Sequence, residues 1–331
     1  MFSLTVIAAT GEQFCDFAPY VPSVNDAGTV AFQAVLTGGE TGVFTGSGGN
    51  VAELAGPALL ARVTSHPDLN SAGATSFYGD LASGDQGVFL VQDGRLRTVA
   101  DTRGAFASIG PLGPTMNEAG TVAFRADRAA GVSGIFTGDG AVVATVADTD
   151  GPWSRFHGLP VISGNGAVVF RADRKDGVQG IYAARAGSVL AVAETTDRFE
   201  TLALFPSAND HGTVAFAATL RAGGAAIFTA TEGRVTRITD TDGAFETFRG
   251  ALITSAGGVV IIATPRRGNL GLFAGAEPEA DRIVALGDPL LGSAVAELAS
   301  NPVSVNAAGQ VAVRVRLTDG SQFILRADPR V

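Results

Sequence analysis

A ten-residue motif recurs along this chain and governs what it can fold into. It reads NDAGTVAFQA from Asn25, NEAGTVAFRA from Asn117, SGNGAVVFRA from Ser163, NDHGTVAFAA from Asn209 and NAAGQVAVRV from Asn306. Two worn copies, NSAGATSFYG from Asn70 and SAGGVVIIAT from Ser255, complete a series whose glycines are Gly28, Gly73, Gly120, Gly166, Gly212, Gly257 and Gly309. These glycines stand 45 to 52 residues apart. Gly and Asn accept the positive φ of tight turns, and the alternation of Val122, Phe124 and Ala126 with Ala123, Arg125 and Asp127 marks a strand. A GVF- or GIF-like strand follows each copy, then a third strand, a polar DTDG-type turn and a short F-x-x-F strand.

Four short strands per repeat, seven times over, predict an all-β, seven-bladed β-propeller with four antiparallel strands per blade. A helical solenoid is excluded because no repeat carries a helical apolar period, and a β-sandwich would not need one motif seven times. In chain order the strands are A (F-x-x-F), B (TVAF), C (GIF) and D (VVATVAD). The chain ends on a C strand, and its opening FSLTVIAATG matches the D strand and turn VVATVADTDG. The N-terminal strand is therefore expected to complete the last blade, within one propeller domain over residues 1–331 whose longest insertion is 274–302. This closure resembles that of WD40-type propellers, although their Trp-Asp dipeptide is absent and Trp153 is the only Trp. The repeat itself is similar to the tandem NxxGxVAFxA repeats of uncharacterised bacterial proteins. That resemblance implies a propeller and no particular activity.

An apolar fraction of 46% with 17% charged residues fits a globular chain. The net charge of −9 argues against nucleic acid or an anionic membrane surface as partner. Cys15 is alone and cannot form an internal disulfide. The N-terminus lacks the basic region of a signal peptide, and no run of 18 apolar residues occurs. A cytoplasmic protein is expected, monomeric because a closed ring leaves no free sheet edge.

Strand A should lie nearest the axis, with the D-to-A and B-to-C loops on one rim and the Asn–Gly turns on the other. Loop-rim positions that differ between blades are informative, because the fold does not require them. One follows the first Phe of F-x-x-F: Cys15, Ala107, His157, Glu200 and Glu246, with Arg62 or Thr64 and Glu297 as candidates in blades two and seven. A second follows TVAF: Gln33, Tyr78, Arg125, Arg171, Ala217 and Arg314. His157, Glu200 and Glu246 fall on consecutive blades. Crowded carboxylates beside an imidazole suit acid/base catalysis, and the same N and O ligands suit a divalent cation. Their bland alternative is solvated strand ends. Arg125, Arg171 and Arg314 suit an anion; as struts they would instead pair with Asp127, Asp173 or acids of adjacent blades.

Cys15 is too many blades from His157 for a nucleophilic pair. The DTDG turns lack the later ligands of a calcium loop, and His66 and His211 stand isolated. No phosphate loop, G-x-S-x-G or HExxH occurs. A lectin would repeat its site in every blade, whereas here the rim residues diverge. The reading is one axial pocket doing acid/base chemistry of lyase, isomerase, cyclase or hydrolase type on a polar or anionic small molecule. Glu200 and Glu246 would move protons, His157 would share or orient one, and the three arginines would hold the anion, with Gln33, Tyr78 and Cys15 lining the same funnel. No cofactor other than that cation is expected. The alternative is a non-catalytic scaffold or ligand- or carbohydrate-binding propeller, favoured by an apolar funnel.

Overall fold

The computed structural model describes residues 2–330, so the two end residues of the 1–331 span lie outside the described residues. The chain forms seven small antiparallel sheets arranged as the blades of a propeller. Blade four runs Trp153–Ile162, Val168–Arg174, Gln179–Arg185 and Ser188–Glu194 for strands A to D. In blade one strand A is split into Phe14–Asp16 and Ser23–Val24, both paired with strand B, Val30–Leu36. The closing sheet holds Ser293–Ala299, Val311–Leu317, Gln322–Pro329 and, as its strand D, Phe2–Ala9. Phe2 pairs with Pro329 and Ala9 with Phe323, with a bulge between Val6 and Ala8. Strand D of blade four carries a bulge at the matching place, between Ala191 and Ala193 opposite Tyr182 and Ile181. The N-terminal strand therefore occupies an ordinary strand-D slot. Part of the 274–302 insertion becomes a small extra strand, Pro289–Leu290, hairpinned onto strand A of blade seven. Among the described residues no helix is long and apolar enough to cross a membrane.

The period-two pattern of strand B explains the core. Val122, Phe124 and Ala126 face blade two, where they pack with Tyr78, Val88 and Leu90. Ala123 faces blade four and packs with Phe156, Phe170 and Tyr182. Each interface is thus a continuous apolar seam between facing side chains of two neighbouring blades, and burial of this apolar area holds the ring together.

The motif Asn ties the turn rim. In blade one its side-chain oxygen accepts from the Thr29 N–H (2.9 Å), closing the turn, while its amide donates to the Asn70 carbonyl of blade two (2.9 Å). Asn306 reaches the Asn25 carbonyl in the same way (2.7 Å) and links the last blade to the first. Asn209 reaches the Thr254 carbonyl (3.1 Å). An acid at the next position works the other way round: Asp26, Glu118 and Asp210 accept the N–H of Ala307, Ser71 and Gly164 on the preceding blade. The NxxG motif is conformational and inter-blade at once.

Candidate functional site

The position after the first Phe is a β-bulge. Cys15 lies between the pairs Phe14↔Leu36 and Asp16↔Val35, Glu200 between Phe199↔Leu220 and Thr201↔Thr219, and Glu246 between Phe245↔Pro265 and Thr247↔Thr264. The unpaired residue of such a bulge turns outward, and all three are exposed. The Glu200 side chain is 58% exposed and meets Arg221 at 3.9 Å, while Cys15 rests its thiol on the Leu36 carbonyl. His157 does not share this register. In blade four Trp153 fills the slot of the first Phe, stacked edge-on to Tyr182 and Phe170, so the bulge residue is Ser154. By the same pairing the bulge residue in blade seven is Ala296, not Glu297; in blade two Arg62 is itself paired with Asp80, and Thr64 lies beyond the pair Val63↔Gly79, so neither is a bulge residue. His157, Glu200 and Glu246 are therefore not brought together. Among the described residues no three His, Cys, Asp or Glu side chains stand close enough to hold a metal.

The second position also differs from expectation. It lies on the face of strand B that meets the following blade, and its side chains enter the inter-blade seams instead of the axis. Arg171 donates from Nε to the Leu202 carbonyl of blade five (3.1 Å) and from Nη2 to Gln179 Oε1 (3.0 Å), with Asp173 at 3.5 Å. Arg125 donates to the Gly158 carbonyl of blade four (3.0 Å), and its own N–H is received by the Tyr78 hydroxyl (3.2 Å). Burial moves both guanidinium pKa values below the ordinary arginine range and the Tyr78 phenol upward. Gln33 and Arg314 are buried too; Gln33 Oε1 and Arg314 Nε and Nη1 have no partner among the described residues. Arg125 and Arg171 are struts to backbone carbonyls of the next blade. Of the two Asp partners expected, only Asp173 stands within ion-pair range of its arginine.

Arg125 differs from the others in also lining open space. A cleft of about 490 Å³ between blades three and four is bordered by Arg125, Asp127, Arg155 and His157. His157 hydrogen-bonds Asp173 through Nε2 at 2.8 Å, and its side chain is 18% exposed. Arg171 stands within ion-pair range of Asp173 at 3.5 Å without hydrogen-bonding it, and the Asp173 contact alone orients the imidazole. No protein group among the described residues hydrogen-bonds Nδ1. Asp127 accepts from the hydroxyls of Ser108 (2.8 Å) and Ser133 (2.5 Å). Arg155 is exposed, without a carboxylate partner among the described residues, and close enough to Arg125 to help lower its pKa. The cleft thus gathers two guanidinium groups and an oriented imidazole around one carboxylate already held by hydroxyls.

On the loop side the axis is apolar. A well of about 200 Å³ opens at the same rim, and all seven blades contribute to its wall. Where blade five has Ala217 instead of an arginine, a third hollow of about 400 Å³ opens between blades five and six. Phe205 borders the cleft, the well and this hollow. Sequence reading missed Arg155 because Trp153 replaces the first Phe; aligning residues 153–156 with 14–17 would have found the register. It missed the placement of His66 because strand A of blade two has Leu60 where five of the other six blades have an aromatic ring.

Solved structures with this architecture include an oligogalacturonate lyase in complex with manganese (TM-score 0.62, 11% identity, 100% of this chain and 96% of that one). The β-propeller domain of the Trilobed protease from Pyrococcus furiosus is similar at TM-score 0.64 and 11% identity, over 94% of this chain and 96% of that one. A puromycin-hydrolyzing peptidase of Mycobacterium tuberculosis aligns at TM-score 0.62 and 13% identity over 97% of this chain, which spans 54% of that protein. Identities this low carry the fold and nothing finer. No curated protein matches the sequence. A family model matches residues 5–127 and 56–324, and the chain belongs to that family, a family of unknown function (DUF7453).

Proposed function

We propose that this propeller is an enzyme that performs acid/base chemistry on a small anionic molecule in the cleft between blades three and four. The observation that carries the reading is His157: one ring nitrogen is held by Asp173 at 2.8 Å, the other has no protein partner, and the ring borders the cleft. A carboxylate behind an imidazole selects its tautomer and fixes its orientation, which is what a general acid or base needs. Arg155 and the outer part of Arg125 would hold the anion, and Asp127 would accept a hydrogen bond from a neutral polar group. Ser154 donates to the Asp173 and Arg174 carbonyls, and Ser133 to Asp127, so neither is poised as a nucleophile activated by His157. That favours lyase, isomerase or cyclase chemistry, or hydrolysis by water, over acyl transfer. A lyase and a peptidase are among the proteins of this architecture, so the ring tolerates catalysis without dictating it.

The test is a panel of dicarboxylates, sugar acids and sugar phosphates, screened first by thermal stabilisation and then by turnover. Arg155→Gln should weaken binding of the stabilising compound, and His157→Gln should abolish its turnover while keeping its binding. Full turnover by His157→Gln would remove the imidazole from the chemistry. A second reading, a ligand-binding propeller without catalysis, is favoured by the apolar axial well; binding without turnover across the panel would support it.

A further inference from the structure

We propose that the axial well is a separate binding site for a small monocarboxylic acid with an apolar body, whose carboxylate is taken by Arg249. The walls come from Pro19, Val21, Leu112, Leu159, Phe205 and Leu252, one or more from nearly every blade. An apolar cavity of about 150 Å³ is enough to take up benzene, so this well of about 200 Å³ fits one ring or a branched chain.

Most polar groups at the well are already satisfied. The Tyr20 hydroxyl donates to the Thr64 carbonyl (2.6 Å), and Asn301 Oδ1 accepts from the Val303 N–H (3.1 Å). Two groups are not. His66 is 3% exposed; its Nε2 is buried without a well-formed hydrogen bond, and the Pro114 and Leu112 carbonyls lie near the ring. Gly113 leaves no room between its backbone and the ring; a Cβ there would meet the imidazole at 2.4 Å. The ring is thereby held in place against the well. A buried ring nitrogen without a well-formed hydrogen bond is costly unless something supplies one. Arg249 is exposed at the mouth, bordering the well and the blade five–six hollow, with no carboxylate partner among the described residues. A cation at the lip of an apolar well is complementary to an acid with an apolar body, and the buried imidazole inside the well reports its entry. The exposed apolar side chains Leu112 and Phe205 at the lip extend the same surface.

The site shares walls with the cleft of His157 but none of its charged groups, so either reading can fail without the other. The experiment titrates the full chain with benzoate, benzyl alcohol and acetate while following the imidazole resonances of its three histidines. Benzoate should shift His66 saturably and leave His211, on the turn rim, unmoved. Acetate should not shift His66, and benzyl alcohol should bind at least tenfold more weakly than benzoate. Arg249→Gln, an exposed change that spares the core, should weaken benzoate at least tenfold and leave benzyl alcohol unchanged. No saturable His66 shift with benzoate would overturn the proposal, as would wild-type benzoate affinity in Arg249→Gln or equal binding of benzyl alcohol.

Discussion

The two rims of this ring are built from the same seven repeats, yet they use them differently. On the turn rim nearly every blade places an Asn or hydroxyl residue at one position, and its contacts run to the adjacent blades: Asn25 to Asn70, Asn306 to Asn25, Asn209 to Thr254. On the loop rim the equivalent places hold unlike residues, and three hollows open there. Repetition closes the circle, and divergence leaves room for chemistry. Blade two condenses the contrast into two residues on one stretch of chain. His66 borders the apolar well on the loop side, and Asp68 borders the polar mouth on the turn side, accepting the Met116 N–H of blade three (2.7 Å).

The contrast can be broken most sharply at His157. Its replacement by Gln should lower turnover of a panel substrate by ~10²-fold or more, the usual scale of general acid/base catalysis, with the melting temperature nearly unchanged. Kinetics and calorimetry on one preparation would check both halves.

The next effect is on stability and carries opposite signs at the two mouths. Burial lowers the His66 pKa to about 4 from 6.5, so the unfolded chain takes up a proton before the fold does. The stability this neutral ring contributes is present above about pH 6.5 and lost as the pH falls towards 4. Burial raises the Asp68 pKa to about 7 from 3.8, so the fold keeps a proton the unfolded chain releases. Its contribution is present below about pH 4 and lost as the pH rises towards 7. In the wild type the two slopes oppose each other. Asp68→Asn, which can still accept from Met116, should be more stabilising at pH 7 than at pH 4 by ~3 kcal/mol. Denaturant titrations at the two pH values measure this; a pH-independent effect would mean that Asp68 is ionised in the fold.

Arg171→Ala should cost ~2 kcal/mol by denaturant titration, because it leaves the Leu202 carbonyl and Gln179 Oε1 without their donor and removes the positive charge beside Asp173. Asn25→Ala should cost ~1–2 kcal/mol by removing the turn closure and the blade one–two tie, and should leave ligand binding on the loop rim intact. Smallest of all, Glu200→Gln and Glu246→Gln should change stability by less than ~0.5 kcal/mol, the ordinary range for surface positions. A large loss of turnover in Glu246→Gln would move the chemistry back towards the bulge residues.

What was legible in the chain was what the fold repeats. The Asn–Gly turns, the period-two strands and the strand-D likeness of residues 2–9 each follow from backbone chemistry that acts locally, so they could be read copy by copy. The candidate residues depended on register. A bulge adds a residue to one strand, so Glu200 and Glu246 turn to solvent while His157, three positions beyond its own bulge neighbour Ser154, turns to the cleft. Alignment by Phe letters could not separate them, because Trp153 does the work of Phe in that blade. Arg125 and Arg171 illustrate a second limit. Alternation along strand B gives the face of a residue, and the small Ala residues across that face make it an inter-blade one, so arginines placed there reach carbonyls before they reach a ligand. Arg249 and His66 carried no motif at all; only the closed ring makes them neighbours of one well.

The most direct test of the divided roles follows the three histidine imidazoles by NMR while the anionic panel is titrated in. His157 reports the cleft, His66 the well and His211 the turn rim. A sugar acid, dicarboxylate or sugar phosphate that binds should shift His157 saturably, lose affinity in Arg155→Gln, and leave His211 where it was. If the compounds that bind move His211 and leave His157 untouched, the functional face has been placed on the wrong side of the ring.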